Sequence, residues 1–115
     1  MKQGRVPHKR TRLYGHEFDS KAEAGRYLEL RQQLKDGEIQ GLVLQPEFDL
    51  IPTGRIPHEK TLRAHKYTAD FQYIRNGKIV VEDVKSAYTR KDREYILNRK
   101  LMWYLKHIYV HEVVR

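Results

Sequence analysis

"KYTADFQYIRNGKIVVEDVKS", residues 66–86, decides the fold. Its first part alternates: Tyr67, Ala69, Phe71 and Tyr73 fall on one face of a strand, and Thr68, Asp70 and Gln72 on the other. "RNGK" (75–78) follows, in which Asn76-Gly77 suits the left-handed backbone of a two-residue hairpin turn. "IVVEDVKS" (79–86) is the returning strand. Period two puts Ile79, Val81, Asp83 and Lys85 on one face, and Val80, Glu82 and Val84 on the other. With valines on both faces, this strand reads as central and covered from both sides. Charged groups in such a strand are costly to desolvate unless they are paired or bound to a metal.

The flanking segments complete an α/β order. "FDSKAEAGRYLELRQQLKDGEI" predicts a helix over about residues 20–36. Ser20 and Glu23 have the spacing of a capping box, Tyr27, Leu30 and Leu34 form one stripe with Ala24 and Leu28 alongside, and Gly37 supplies the stop. "LVLQPEFDLI" (42–51) reads as a strand that Pro46 interrupts, so it is bulged or near an edge. A second helix is expected from about Arg90 to Lys106, with Thr89 and Asp92 in its first turn and Leu97, Leu101, Tyr104, Leu105 and Ile108 as its apolar stripe. "IYVHEVV" (108–114) is a last short strand. The expected fold class is therefore α/β, in the order α-β-β-β-α-β, with a mixed central sheet flanked by helices and a single domain over residues 1–115.

Composition narrows the chemistry. A net charge of +8 on 115 residues favours a polyanionic partner, most simply nucleic acid. The charge is concentrated in "MKQGRVPHKRTRLYGH" (1–16), read as a basic arm, in "TGRIPHEKTLRAHK" (53–66), read as a basic loop, and on one side of the second helix. Lys9, Arg10, Arg12, Arg55, Lys60, Arg63, Lys66, Arg93 and Lys100 are the expected DNA phosphate contacts. The chain contains no cysteine, which excludes disulfides, thiolate metal sites and cysteine nucleophiles. No apolar run approaches the roughly 20 residues needed to cross a bilayer, and no signal peptide is expected. Neither a Walker loop nor a GxGxxG motif is present, so nucleotide-driven chemistry has no support.

The acids in the hairpin carry the functional reading. Asp70 and Asp83 can lie side by side across the "RNGK" turn, and two like charges so placed repel. A hard divalent cation relieves that repulsion, because carboxylate oxygens are its natural ligands. Mg²⁺ held in this way can bind a phosphate oxygen and lower the pKa of its water, while Lys85 on the same face orients or activates that water. Glu23 lies on the inward stripe of the first helix and can complete the set. Other roles exist for each residue. Glu23 can be only the capping partner of Ser20, Asp70 and Lys85 can be an ion pair, and Glu82, which turns to the opposite face, reads as a surface or ion-pairing residue. Gln45 and Glu47 flank Pro46, so one of them can approach the site, but both read first as structural. His8, His16, His58 and His65 read as phosphate contacts or solvated side chains, and Tyr95, Trp103 and Tyr104 as core. His111-Glu112 begins like a zinc-protease HExxH, but position 115 is Arg and the segment is strand-like.

"TAD" (68–70), the short hairpin and "EDVK" (82–85) resemble the bipartite signature of the PD-(D/E)xK nuclease superfamily, whose core has the same α-β-β-β-α-β order. More closely, "FDSKAEAGRYLEL", "QPEFDL", "YTADFQY", "VVEDVKS" and "KLMWYLKH" resemble a family of small phage and prophage proteins of unknown function placed among Holliday-junction-resolvase-like nucleases; the likeness covers roughly residues 13–112. It implies a restriction-endonuclease-like core and an Mg²⁺- or Mn²⁺-dependent endonuclease acting on branched DNA. Two nicks in a junction then imply a homodimer, and a phage origin implies the cytoplasm of a bacterial host. Asp70 and Asp83 would bind the metal, with the Val84 main-chain carbonyl as a further ligand; Lys85 would position the water, and Glu23 would be a third carboxylate. Ala69 stands where the name-giving proline would be, and Asp83 replaces the commoner Glu, which shortens its reach by one methylene. The competing expectations are a non-catalytic DNA-binding module of the same fold, and a restriction-like or tRNA-splicing-like nuclease with another substrate.

Overall fold

The computed structural model describes residues 10–115; of the expected phosphate contacts, Lys9 lies outside them. The architecture is mixed α/β. The first helix, α1 (Lys21–Lys35), begins where Ser20 accepts a hydrogen bond from the Glu23 N–H at 3.1 Å, the N-terminal half of the expected capping box. Ahead of it, β1 (Thr11–Leu13) and β2 (His16–Phe18) pair as a hairpin across Tyr14-Gly15, both at positive φ. The part of the expected basic arm that is described therefore contains a hairpin. Leu13 and Phe18 pack onto the α1 side, and this apolar anchoring overrides the charge of the segment.

β3 (Gln40–Leu44) and β4 (Glu47–Ile51) form one bent strand, broken at Gln45 (φ 51°) and Pro46. Pro46 has no N–H for a ladder, so the break falls where the sequence predicts it. The basic segment 53–66 is not an irregular loop. It contains a small exposed hairpin, β5 (Gly54–Arg55) paired with β6 (Thr61–Leu62), and then enters β7 (His65–Thr68). β7 pairs with β4, β8 (Phe71–Arg75) with β3, and β9 (Lys78–Lys85) returns beside β8 across Asn76-Gly77. A 3₁₀ turn (Thr89–Lys91) precedes α2 (Arg93–Lys106), which Asp92 caps by accepting from the Tyr95 N–H at 2.9 Å. β10 (Val110–Val114) then runs parallel to β9. The resulting four-stranded sheet has the order β10-β9-β8-β3 and is mixed, as expected.

Two apolar clusters cover β9 from opposite sides. Tyr27, Leu30, Phe71 and Tyr73 pack with Val80 and Val84 on the α1 side; Tyr67, Ala69, Tyr95, Met102 and Val110 pack with Val81 on the α2 side. β9 is therefore central, and its two faces alternate as its sequence predicts. The strand opposite departs from simple alternation. Tyr67 and Ala69 lie on the α2 side but Phe71 and Tyr73 on the α1 side, so the shared face expected for these four is corrected. The chain bends at Asp70, between β7 and β8 and beside the Gln45-Pro46 break. The buried side of α2 is corrected as well. Tyr95, Asn98 and Met102 face the core, whereas Leu97, Tyr104 and Leu105 are exposed. Asn98 is tolerated inside because it pairs with His65 at 2.8 Å.

Of the expected phosphate contacts, Arg12, Arg55, Lys60, Arg63, Arg93 and Lys100 are exposed. Arg10 pairs with Glu17 at 3.2 Å, and Lys66 lies 3.8 Å from Glu47. Among the described residues, no helix is long and apolar enough to cross a membrane.

Candidate active site

The β8–β9 register sets Phe71 beside Glu82, which brings the preceding Asp70 next to Asp83. The two acids interlock through the backbone: the Asp70 N–H donates to Asp83 Oδ1 at 2.9 Å, and the Val84 N–H donates to Asp70 Oδ2 at 2.8 Å. It is thus the Val84 N–H, not its carbonyl, whose contact with the site is defined. The Tyr67 hydroxyl donates to Asp83 Oδ2, so both oxygens of this buried carboxylate (3% exposed) accept protein hydrogen bonds while each keeps a further lone pair.

Glu23 reaches the same place from the first turn of α1. It is buried (6% exposed), and among the described residues its carboxylate has neither a hydrogen bond nor an ion pair. Burial, then Asp70, Asp19 and Asp83, push its pKa up to about 7, against the opposing pull of Lys85. Burial likewise raises Asp83 to about 6 and raises Asp70, in each case against the charge of Lys85. Lys85 thus faces all three acids electrostatically, and its ammonium sits 4.2 Å over the Tyr95 ring. Among the described residues it forms no ion pair with Asp70. Of the four sequence-predicted site residues, Asp70 and Asp83 are joined by hydrogen bonds, Glu23 shares a cleft with Asp70, and Lys85 opposes the upward shift of all three acids.

Glu82 does not join them. It points to the α1 side, where Arg26 Nε meets it at 2.6 Å and the Tyr73 hydroxyl at 2.7 Å, and it is 2% exposed. It is an ion-pairing residue as expected, but buried and not at the surface. Glu112 is also committed, to Arg90 at 2.9 Å and to the Tyr95 hydroxyl at 2.9 Å.

Glu23 and Asp70 open onto a cleft of about 240 Å³ that His16 and Gln45 also line. Gln45, beside the Pro46 break, is the one of the pair Gln45 and Glu47 that approaches the site. His16 carries no local signal, because its place depends on the β1–β2 hairpin, which the sequence does not predict. Tyr67 and Tyr95, which contact Asp83 and Lys85, were read only as apolar positions.

A divalent cation would have to be held here by few protein ligands. Among the described residues, no three of His, Asp and Glu form a ready-made metal cage. Mg²⁺ does not need one, since it keeps several waters and is held by one or two carboxylates together with substrate phosphates. Buried acids with raised pKa values and unfilled lone pairs are suited to that arrangement.

No curated protein and no solved structure matches the chain. A family model described as "Protein of unknown function (DUF1064)" matches residues 5–114, nearly the whole length, and the chain belongs to that family.

Proposed function

We propose that the protein is a metal-dependent endonuclease that hydrolyses DNA phosphodiester bonds, with Mg²⁺ or Mn²⁺ as cofactor and branched DNA as its preferred substrate. The observation that carries this reading is the hydrogen-bonded Asp70–Asp83 pair beside buried Glu23, which lines the same cleft as Asp70. The element order and the mixed sheet resemble the restriction-endonuclease-like core and add support. Asp70 and Glu23, with lone pairs facing the cleft, would hold the cation, and Asp83 would contribute its remaining lone pairs from the inner side. Bound there, the cation would supply Lewis-acid polarisation of the phosphate and a more acidic water. Lys85, held over Tyr95, would orient the attacking water and offset charge as it develops on the phosphate. The exposed β5–β6 hairpin, with Arg55, Lys60 and Arg63, would grip phosphates without reading sequence, which suits recognition of DNA shape. Cutting a four-way junction would take two nicks and therefore two copies of the chain.

One observation favours a second reading, a DNA-binding module without catalysis: both Asp83 oxygens already accept hydrogen bonds within the protein. One experiment separates the two. A labelled four-way junction, a linear duplex and single strands are incubated with Mg²⁺, Mn²⁺ or EDTA. Metal-dependent cleavage that Asp83→Ala abolishes while DNA binding persists supports the nuclease. Binding without cleavage in either metal leaves the module.

A further inference from the structure

A groove of about 660 Å³ lies away from the cleft of Glu23 and Asp70, between α2 and the start of β10. Tyr95, Trp103 and Tyr109 supply its flat rings. Trp103, expected in the core, is 55% exposed, and Tyr109 is exposed as well. Arg99 fixes the Tyr109 side by donating to the Val110 carbonyl at 2.8 Å and to the Tyr109 hydroxyl at 2.9 Å. Lys91 and Lys100 stand exposed along it, and among the described residues neither forms an ion pair. In all, four cations and one carboxylate, Glu112, line the groove.

We propose that this groove binds an unpaired, single-stranded stretch of the DNA substrate, its bases stacking on Trp103 and Tyr109 and its phosphates meeting Lys91 and Lys100. Exposed rings beside unpaired cations are what single-stranded nucleic acid requires, since every base offers a π face and every linkage a charge. A second copy of the chain fits less well, because an isologous contact would bring the same cations together across the interface. Position adds a further argument. Tyr95 lines the groove and also carries Lys85 on its ring, and Glu112 of the groove is the sheet neighbour of Asp83. Tyr95 and Glu112 therefore link the groove to Lys85 and Asp83 through the protein interior. The inference rests on the nuclease reading for its substrate, and it makes that substrate a DNA with a single-stranded flap or an opened branch point.

Trp103 is the sole tryptophan, so its fluorescence reports on this groove alone. The full chain in EDTA at low salt is titrated with oligo(dT), with a blunt duplex of equal length and with oligoglutamate. The expected result is saturable quenching by oligo(dT) and little by the other two. Tyr109→Ala, which keeps the reporter, should weaken oligo(dT) binding by about 5- to 150-fold, the range for one lost stacking contact. Absence of quenching, equal quenching by oligoglutamate, or a tryptophan signal that depends on protein concentration without DNA would each overturn the proposal. So would unaltered binding by both Tyr109→Ala and Trp103→Ala, the latter followed by filter retention, with both variants checked for folding by circular dichroism. Because EDTA prevents metal-dependent cleavage, quenching without later cleavage in Mg²⁺ removes the nuclease alone, and cleavage without quenching removes the groove alone.

Discussion

Replacing Glu23 by glutamine should stabilise the metal-free protein while disabling it. The carboxyl is buried and ringed by Asp70, Asp19 and Asp83, and its pKa stands at about 7 instead of 4.5. Each tenfold change in proton affinity is about 1.4 kcal/mol, so ionising Glu23 in place costs at most about 3 kcal/mol. The folded state holds this proton more tightly than the unfolded chain does. Stability from this group is therefore greatest below pH 4.5, falls as pH rises from about 4.5 to about 7, and stays low above that. Glu23→Gln removes the penalty without removing the side chain's volume. At pH 8 in EDTA it should raise the unfolding free energy by up to about 3 kcal/mol, corresponding to a Tm rise of about 10 °C. At pH 4.5 the gain should nearly vanish. Urea titrations of both proteins at the two pH values, followed by circular dichroism, give the comparison. Added Mg²⁺ should stabilise the native protein at pH 8 more than the variant, and nuclease activity should drop in the variant. A gain of equal size at both pH values, or a loss at pH 8, would refute the claim that this carboxylate is held against its burial and its neighbours.

Lys85→Ala should lower metal-dependent cleavage by about a hundredfold or more, the scale of a lost electrostatic or proton-transfer group, with DNA affinity nearly unchanged in a gel-shift assay. Glu82→Ala should cost about 1–3 kcal/mol in urea unfolding, because Arg26 loses its 2.6 Å partner and keeps only Glu29 at 2.8 Å, and the Tyr73 hydroxyl loses its acceptor. The double change Lys60→Ala and Arg63→Ala should flatten the slope of log affinity against log salt by about 2, measured by fluorescence anisotropy on duplex DNA, if both side chains meet phosphates. Asp92→Ala should cost about 1 kcal/mol in thermal unfolding through loss of the α2 cap.

What could be read in advance, and what could not, follows from how far each cause lies along the chain. The hairpin at Asn76-Gly77, the Ser20 cap and the two-faced β9 rest on neighbouring residues, and all are present. The inward side of α2 was not legible, because apolar residues surround that helix and the choice of Tyr95, Asn98 and Met102 depends on distant partners such as His65. The bend at Asp70 is also non-local: Gln45 and Pro46 in the neighbouring strand break the ladder there. Alternation assumes a straight strand, so it misassigned Phe71 and Tyr73 relative to Tyr67. Yet the same bend supplies the site's geometry. There the Asp70 N–H is shared between the Glu82 carbonyl at 3.2 Å and the Asp83 carboxylate at 2.9 Å, while its own carboxylate reaches the Val84 N–H and lines the cleft shared with Glu23. A local rule fails at the point where the acids are gathered, which is where a functional constraint is expected to override strand regularity.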